Sequence, residues 1–183
     1  MSQTSPQDEE IRNMKIAVLC AADDSNYFFL AQKYNLDIYD RHRDCRTFRF
    51  DCPVITHAPC AQWSRMHHFA RKDAEVKSLA WFCLEAIYRC GGIFEHPAGS
   101  HFFDTANIQK EDIFSVMQHW WGFPGRKRTY LFSNQITFAP VPLNFDAYPG
   151  NIAKHLDSKA RSLTTLSFNE WLIQSIIQSN VVR

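Results

Sequence analysis

Three kinds of reactive side chain follow apolar stretches of the chain. Cys60 comes just after the run VITHA, Glu95 ends the run GGIFE, and a basic cluster covers residues 126–128. A cysteine thiolate can act as a nucleophile, a carboxyl group can exchange a proton with a ligand, and basic side chains stabilise negative charge. Cys60 is therefore a candidate nucleophile with an acid and basic partners, although by itself it also fits a packed thiol.

Metal binding is another interpretation of the segment around Cys60. His57, His67 and His68 lie close to it in the sequence. No second cysteine or histidine pair completes a tetrahedral set at the spacing of zinc sites, and the His-x-Glu and Pro-Cys-x-x-Cys elements of zinc deaminases are absent. We therefore predict no metal site.

Hydrophobic periodicity predicts the elements that would hold these side chains. Strands are predicted for 15–22, 53–57, 93–95 and 128–133, short alternating segments for 36–40 and 47–51, and helices for 23–34, 73–90 and 167–179. Gly91 and Gly92 should end the second helix, and Ser167 is the expected cap of the third.

Strands that alternate with helices indicate an α/β protein with a mainly parallel sheet and flanking helices. We expect a single domain over residues 15–183 after a flexible leader over 1–14. Ligands of such sheets bind beyond the carboxyl ends of the strands. Asp40, Cys60 and Glu95 follow or end predicted strands, so we expect these side chains to converge at one edge.

Composition narrows the environment and the partners. The 183-residue chain has a net charge of +1, so a nucleic-acid contact should come from local basic clusters. No apolar run reaches the roughly 18 to 20 residues that span a bilayer, and the N-terminus lacks the layout of a secretory signal. The six cysteines include no C-x-x-C pair, which favours reduced thiols. These features predict a cytoplasmic protein.

Four motifs occur in an order that resembles one enzyme family. The segment APCAQWS around Cys60 resembles the Pro-Cys loop of cytosine C5 DNA methyltransferases, and FEHP around Glu95 resembles their glutamate motif. GRKRTYLF from Gly125 resembles their basic motif, and YDRHRD around Asp40 resembles the strand end that binds the cofactor ribose. HAPC, EHPAG and GFPGRKRT are more similar still to motifs of short, bacteriophage-type members that lack a target-recognition domain. The resemblance covers residues 36–135.

The resemblance implies a Rossmann-like fold that binds S-adenosylmethionine and methylates cytosine in DNA or in a nucleotide. Cys60 would add to C6 of the base and make C5 nucleophilic, while Glu95, with a raised pKa, would polarise the ring. The basic residues Arg126, Lys127 and Arg128, of which the alignment favours Lys127, would hold the base or a phosphate and lower the pKa of the thiol.

The same resemblance implies ligand-binding residues and partners. It implies a bacteriophage origin and a location in the bacterial host cytoplasm, without contact to a membrane. The ligand would be a pyrimidine nucleotide or DNA, and a protein partner is an optional means of recognising the substrate. The residues expected to bind the cofactor are Ala21, Asp23, Asp40 and Pro59, and those expected to contact the substrate are Gln62, Ser64, Pro97 and Thr129.

Three departures from the family pattern keep other functions open. No glycine precedes Gly91, so the usual Phe-x-Gly-x-Gly turn after the first strand reads VLCAADD. His96 stands where the glutamate motif normally has asparagine, and the chain after Thr129 is short for a target-recognition domain. A cofactor-free module that binds a nucleotide, a nucleic acid or a host protein would fit these departures, as would an enzyme that transfers a different one-carbon unit.

Overall fold

A sheet of six strands lies at the centre of the protein. The computed structural model describes residues 13–64, 67–142 and 162–181. The strands are β1 Ile16–Leu19, β2 Leu36–Ile38, β3 Val54–Thr56, β4 Gly92–Pro97, β5 Ile113–Met117 and β6 Arg128–Asn134.

The sheet has a parallel half and an antiparallel edge. Its strand order is β2-β1-β3-β4-β6-β5. β1 pairs in parallel with β2 and β3, and β3 pairs in parallel with β4. β6 runs antiparallel to both of its neighbours, β4 and β5. Consequently β6 begins at the edge of the sheet where β3 and β4 end.

Helices flank this sheet, and the predicted α/β class is confirmed. The antiparallel edge makes the sheet mixed, because β5 and β6 join it as a hairpin-like pair. The helices are α1 Tyr27–Leu30, α2 Ala74–Cys90, α3 Phe102–Thr105 and α4 Leu166–Val181, and the 3-10 turns are Cys45–Thr47, Ala61–Trp63, His67–Phe69, Lys110–Asp112 and Gln118–Trp121.

Local chemistry sets both ends of α2. The Asp73 carboxylate accepts hydrogen bonds from the backbone N–H groups of Glu75 and Val76, which otherwise have no helical partner. Gly91 follows the helix with a φ of +73°, a conformation that strains residues with a side chain. The helix predicted over 73–90 is confirmed, with Asp73 as its cap.

Alternate strand residues pack into two cores, one on each face of the sheet. One core joins Ile16, Val18 and Ile93 to α4, and the other joins Leu19 and Phe94 to α2 and α3. Burial of an aliphatic or aromatic side chain of this size stabilises a fold by about 1.5–3 kcal/mol. The central strands are therefore anchored from both faces, which holds their ends in place.

The first predicted helix is much shorter than expected. It was predicted over 23–34, but only the single turn Tyr27–Leu30 is helical. The Asn26 side chain donates to the backbone carbonyl of Thr164 instead of capping the helix, and β2 already begins at Leu36. Little chain remains for a longer helix between the two strands.

Two further local predictions are wrong, and one strand was missed. Residues 47–51 do not form a strand, because Phe50 has a φ of +57° and cannot continue an extended segment. Ser167 lies inside α4, and the Thr165 hydroxyl instead accepts a hydrogen bond from the backbone N–H of Phe168. β5 was not predicted, since it lies at the sheet edge and its pairing with β6 defines it.

Within the described residues, no helix combines the length and the apolar character needed to cross a membrane. The predicted leader over 1–14 lies outside the described residues except for its last two positions.

Candidate active site

The carboxyl ends of the parallel strands carry the predicted reactive side chains. Cys60 lies in the loop that follows β3, and Glu95 lies within β4. Lys127 directly precedes β6. Because β6 is antiparallel to β4, with Pro97 opposite Thr129, Lys127 arrives at the same edge. The topology thus brings a thiol, a carboxyl group and an ammonium group together.

These three side chains line one cavity of about 280 Å³. His57 and Pro97 line it as well. The Cys60 side chain is half-buried, and Glu95 is buried. Small-molecule pockets usually measure about 300–1,000 Å³, so this cavity suits a ligand of about one aromatic ring.

A chain of hydrogen bonds positions Glu95. Tyr27 Oη lies 3.0 Å from His57 Nε2, and His57 Nδ1 lies 3.0 Å from Glu95 Oε2. Burial, followed by the negative charge of Glu95, raises the pKa of Tyr27, so its hydroxyl keeps its proton and donates to His57 Nε2. His57 then donates from Nδ1 to the carboxylate. No group within residues 13–64, 67–142 and 162–181 is seen to hydrogen-bond to Glu95 Oε1, which leaves this oxygen for a ligand.

The charge state of Glu95 differs from the expectation. Burial by itself raises the pKa of this carboxyl, but the hydrogen bond from His57 and the charge of Lys127 outweigh burial and lower the pKa. The raised pKa on which the predicted role of Glu95 depends is therefore not present in the free protein. Glu95 is ionised at neutral pH.

The Cys60 thiol also differs from the expectation. Burial, followed by the charge of Glu95, raises its pKa, and the charge of Lys127 opposes this shift only in part. Lys127 thus lowers the pKa of the thiol, as predicted for the basic cluster, but burial and Glu95 outweigh its effect. In the free protein Cys60 is protonated at neutral pH.

Lys127 is the member of the basic cluster that enters the cavity. Its Nζ donates to the backbone carbonyl of Leu163 at 2.7 Å. Burial lowers the pKa of Lys127, while the charges of Glu95 and Cys60 oppose this shift. Residues 162–164, just before α4, form part of the cavity wall. Lys127 therefore ties this wall to the site and brings a positive charge to it.

Arg126 and Arg128 do not line this cavity. Arg128 is exposed, donates from Nε to Ser115 Oγ and lines a different cavity of about 420 Å³. Arg126 is also exposed. Lys127 is thus the one member of the basic cluster that lines the first cavity.

A second cavity, of about 380 Å³, adjoins the first and collects most of the residues predicted to bind a cofactor. Ala21, Asp40 and Pro59 line it. Pro59 and Cys20 line both cavities, which therefore share a wall. Cys20 makes the turn after β1 with a φ of +60°, the left-handed conformation that glycine usually supplies.

The two acidic residues predicted near the cofactor have different positions. Asp40 Oδ1 accepts hydrogen bonds from the backbone N–H groups of His42 and Arg43, and these bonds outweigh the effect of burial and lower the pKa of Asp40. Its second carboxylate oxygen remains for a ligand. Asp23 lines neither cavity and pairs with Arg41 at 2.7 Å.

Three residues predicted to contact the substrate have structural contacts instead. The Gln62 side chain exchanges two hydrogen bonds with the backbone of Asp73. Ser64 donates to a backbone carbonyl of its own turn. The buried Thr129 hydroxyl accepts a hydrogen bond from the Gln118 side chain. Only Pro97 of this predicted set lines the first cavity.

His96 is buried beside the loop that carries Cys60. Its Nδ1 lies 2.7 Å from Ser100 Oγ. Burial lowers the pKa of His96 to about 4, and the nearby backbone of Ala58 and Pro59 opposes this shift. The neutral ring therefore packs against the loop and supports its conformation.

Two contributors to the site escaped prediction. His57 directly follows β3, the same signal that singled out Cys60, but the sequence suggested only a metal-binding role for it. Tyr27 carries no such signal, because α1 is only a single turn. Tyr27 is also far from His57 in the sequence, so no local pattern indicates their contact.

In sequence comparisons, no protein-family model matches the chain, and no curated protein matches it. The functional assignment therefore rests on the chemistry of the two cavities and on the motifs that line them.

Proposed function

We propose that the protein is a C5-directed pyrimidine methyltransferase that acts on cytosine, in DNA or in a nucleotide, through a covalent adduct of Cys60. The observation that carries this proposal is the placement of Cys60, Glu95 and Lys127 around one cavity. The order of the Pro-Cys, glutamate and basic motifs, which resembles that of cytosine C5 methyltransferases, supports it. The parallel half of the sheet is compatible with the Rossmann-like methyltransferase fold of that family.

The proposed reaction assigns one task to each side chain. The Cys60 sulfur bonds to C6 of the ring as the thiol proton passes to the Glu95 carboxylate, and electron density moves to C5. Glu95, once protonated, hydrogen-bonds to N3 and stabilises the charge that the addition creates. Lys127 holds the ring oxygen. C5 would then take the methyl group of S-adenosylmethionine, with S-adenosylhomocysteine as the leaving group. A base removes the C5 proton, and the bond between C6 and sulfur breaks.

The second cavity is the proposed place of the methyl donor, S-adenosylmethionine. It adjoins the first cavity at Pro59 and Cys20, so a donor there would lie next to a base in the first cavity. The free carboxylate oxygen of Asp40 is suited to a ribose hydroxyl, because carboxylates accept strong hydrogen bonds from such groups.

Titration calorimetry with S-adenosylmethionine tests the donor site. The informative variant is Asp40→Asn, because asparagine keeps an acceptor for the backbone of the turn but loses the carboxylate. We expect binding to the wild-type protein and a loss of affinity on the order of tenfold, equal to about 1.4 kcal/mol, in Asp40→Asn. Asp112→Asn, at an exposed position that lines neither cavity, is the matched control and should bind like the wild type. Equal affinities in all three proteins would place the cofactor elsewhere.

Methyl transfer from labelled S-adenosylmethionine tests the chemistry. Single-stranded DNA and a cytidine nucleotide are the two acceptors, and digestion of the product identifies the methylated carbon. We expect transfer to C5 that Cys60→Ala reduces to the level of the protein-free reaction. Cys90→Ala, outside both cavities, should leave transfer unchanged. Full transfer by Cys60→Ala would exclude a covalent Cys60 mechanism.

A cofactor-free nucleotide-binding module is the second candidate. Cys20 favours it, because a side chain stands at the turn after β1 where close approach of a cofactor normally uses glycine. This candidate predicts that a cytidine nucleotide binds with the same affinity whether or not S-adenosylmethionine is added, and that no calorimetric heat accompanies the cofactor alone.

A further inference from the structure

Three cysteine side chains converge beside the second cavity. Cys20 lies at the end of β1, Cys45 in a 3-10 turn and Cys83 in the middle of α2. The Sγ atoms of Cys20 and Cys45 are 3.5 Å apart, and those of Cys20 and Cys83 are 3.8 Å apart. All three sulfur atoms lie within 4.8 Å of one another. Three separate elements therefore deliver thiols to one point.

This spacing matches that of thiolates around a single metal ion. Zinc–sulfur bonds measure about 2.3 Å, so two thiolates on a tetrahedral zinc ion lie about 3.8 Å apart. The distances from the Cys20 sulfur to the other two sulfur atoms equal or nearly equal that value. A small rotation of the Cys45 or Cys83 side chain would bring the distance between their two sulfur atoms into the same range. Cys20 also adopts a φ of +60°, a conformation that residues with a side chain avoid, and this backbone turn delivers its thiol to the group.

The electrostatics of the group require a cation if the thiols ionise. Three neighbouring thiolates would repel one another, whereas a zinc ion reduces their combined charge to one negative unit. Arg46 lies near Cys45 and lines the same cavity, where its guanidinium pairs with the Asp44 carboxylate at 2.7 Å.

We propose that Cys20, Cys45 and Cys83 bind a zinc ion through three thiolates, with its fourth coordination position open toward the second cavity. Cys20 and Cys45 line that cavity, so the open position is accessible to a water molecule or a ligand in it. The sequence predicted no metal site because these ligands are far apart in the chain. The proposal does not depend on the methyltransferase assignment.

Cobalt substitution tests this site with a direct spectroscopic readout. The purified protein is titrated with Co²⁺ under a phosphine reductant, which keeps the thiols reduced without binding the metal. We expect one Co²⁺ per chain, with near-ultraviolet thiolate-to-cobalt absorption and the strong visible bands of a tetrahedral site, and we expect Zn²⁺ to displace it. Binding should weaken as the pH falls, because thiols must release protons to bind.

Variants separate this group from the other cysteines. Cys20→Ser and Cys45→Ser should each weaken cobalt binding more than about a hundredfold, since even outer-shell partners of a metal contribute about 10–100-fold. Cys60→Ser and Cys90→Ser should keep the wild-type spectrum. Circular dichroism checks that each variant is folded. This check matters most for Cys83→Ser, because Cys83 is fully buried.

Two results would overturn the proposal. One is a wild-type protein that shows no cobalt–thiolate absorption, or shows the same absorption in Cys20→Ser and Cys45→Ser. The other is a Cys20–Cys45 disulfide, detected by mass spectrometry, that forms on exposure to air in the presence of saturating Zn²⁺, because thiolates held by the metal would be protected.

Discussion

At the scale of single residues, Glu95 and Cys60 influence each other across a small cavity. Burial and the charge of Glu95 keep the thiol protonated, while His57 keeps the carboxyl ionised. The charge of Lys127 favours the ionised form of each group, so it opposes the first effect and reinforces the second. The reactivity of Cys60 should therefore respond in opposite directions to changes at its two charged neighbours.

Alkylation of Cys60 by iodoacetamide measures this balance. Glu95→Gln removes the negative charge, so we expect the pKa of Cys60 to fall and alkylation at mildly alkaline pH to accelerate, by about tenfold for each unit of pKa change. Lys127→Gln should slow the same reaction. Mass spectrometry of the Cys60 peptide follows the rate, and a change in the same direction in both variants would contradict the assigned charges.

His96 should make the protein sensitive to mild acid. Its pKa is about 4 in the folded protein and about 6.5 in an unfolded chain, so the folded form binds fewer protons between these values. The free energy of unfolding should therefore fall as the pH drops from 6.5 to about 4, by at most about 3 kcal/mol from this residue.

Urea denaturation of His96→Asn across that pH range tests the effect. Asparagine keeps a hydrogen-bonding group near Ser100 but does not titrate. In His96→Asn the free energy of unfolding should therefore fall less between pH 6.5 and about 4 than in the wild type. His101→Asn, at an exposed position, should follow the wild type. An identical fall in His96→Asn and wild type would assign the acid sensitivity to other groups.

At the scale of elements, the sequence predicted what local chemistry determines. β3, β4 and α2 carry their own signals in apolar runs, a capping aspartate and a terminal glycine. Cys60 and Glu95 were found because each follows or ends a predicted strand, and Lys127 was found because GRKRTYLF resembles the basic motif of the family. Contacts between distant segments left no local signal. The sequence therefore did not predict the hydrogen bonds that link Tyr27, His57 and Glu95, the group of three thiols, or the pairing of β5 with β6.

Gly92 is the residue on which the alignment of β3 and β4 most depends. It pairs with Val54, and a Cβ atom at Gly92 would lie 2.0 Å from the Val54 carbonyl oxygen. Gly92→Ala should therefore force the two strands apart, displace the Cys60 loop relative to Glu95, and lower the free energy of unfolding by more than about 4 kcal/mol.

Gly122→Ala is the matched control for this prediction. Gly122 also has a positive φ, +83°, but a Cβ atom there would meet no atom within 4 Å. We expect its cost to be only the backbone strain of about 1–2 kcal/mol. Urea denaturation compares the two variants. Equal losses in the free energy of unfolding would mean that backbone strain, and not the contact with Val54, causes the loss of stability in Gly92→Ala.

At the scale of the whole molecule, charge balance limits how the protein could hold DNA. The net charge is only +1, so attraction to a polyanion must come from basic side chains near the site. Arg128 lines the cavity of about 420 Å³ at the start of β6, and Lys110 lines it too. A DNA strand with one base in the first cavity could place its phosphates against this neighbouring surface.

The salt dependence of binding to single-stranded DNA tests this arrangement. If DNA is the ligand, Arg128→Ala should reduce the slope of log affinity against log salt concentration by about 0.7, the value for one phosphate contact on a single strand. Lys33→Ala removes the same charge at a residue that pairs with Glu170, and it should leave the slope unchanged. Fluorescence anisotropy provides both slopes, and equal effects of the two variants would favour attraction by overall charge.

The hydrogen bond from His57 to Glu95 also determines where protons are stored before any reaction. The free cavity holds one proton on the Cys60 sulfur and none on the Glu95 carboxylate. Attack on a ring carbon would release the first proton, and the ring nitrogen next to Glu95 would need one. Formation of the adduct would then exchange no proton with the solvent at neutral pH, where the thiol is protonated and the carboxyl is ionised. Its equilibrium constant should therefore not vary with pH near neutrality, and the choice of buffer there should not alter the heat of its formation.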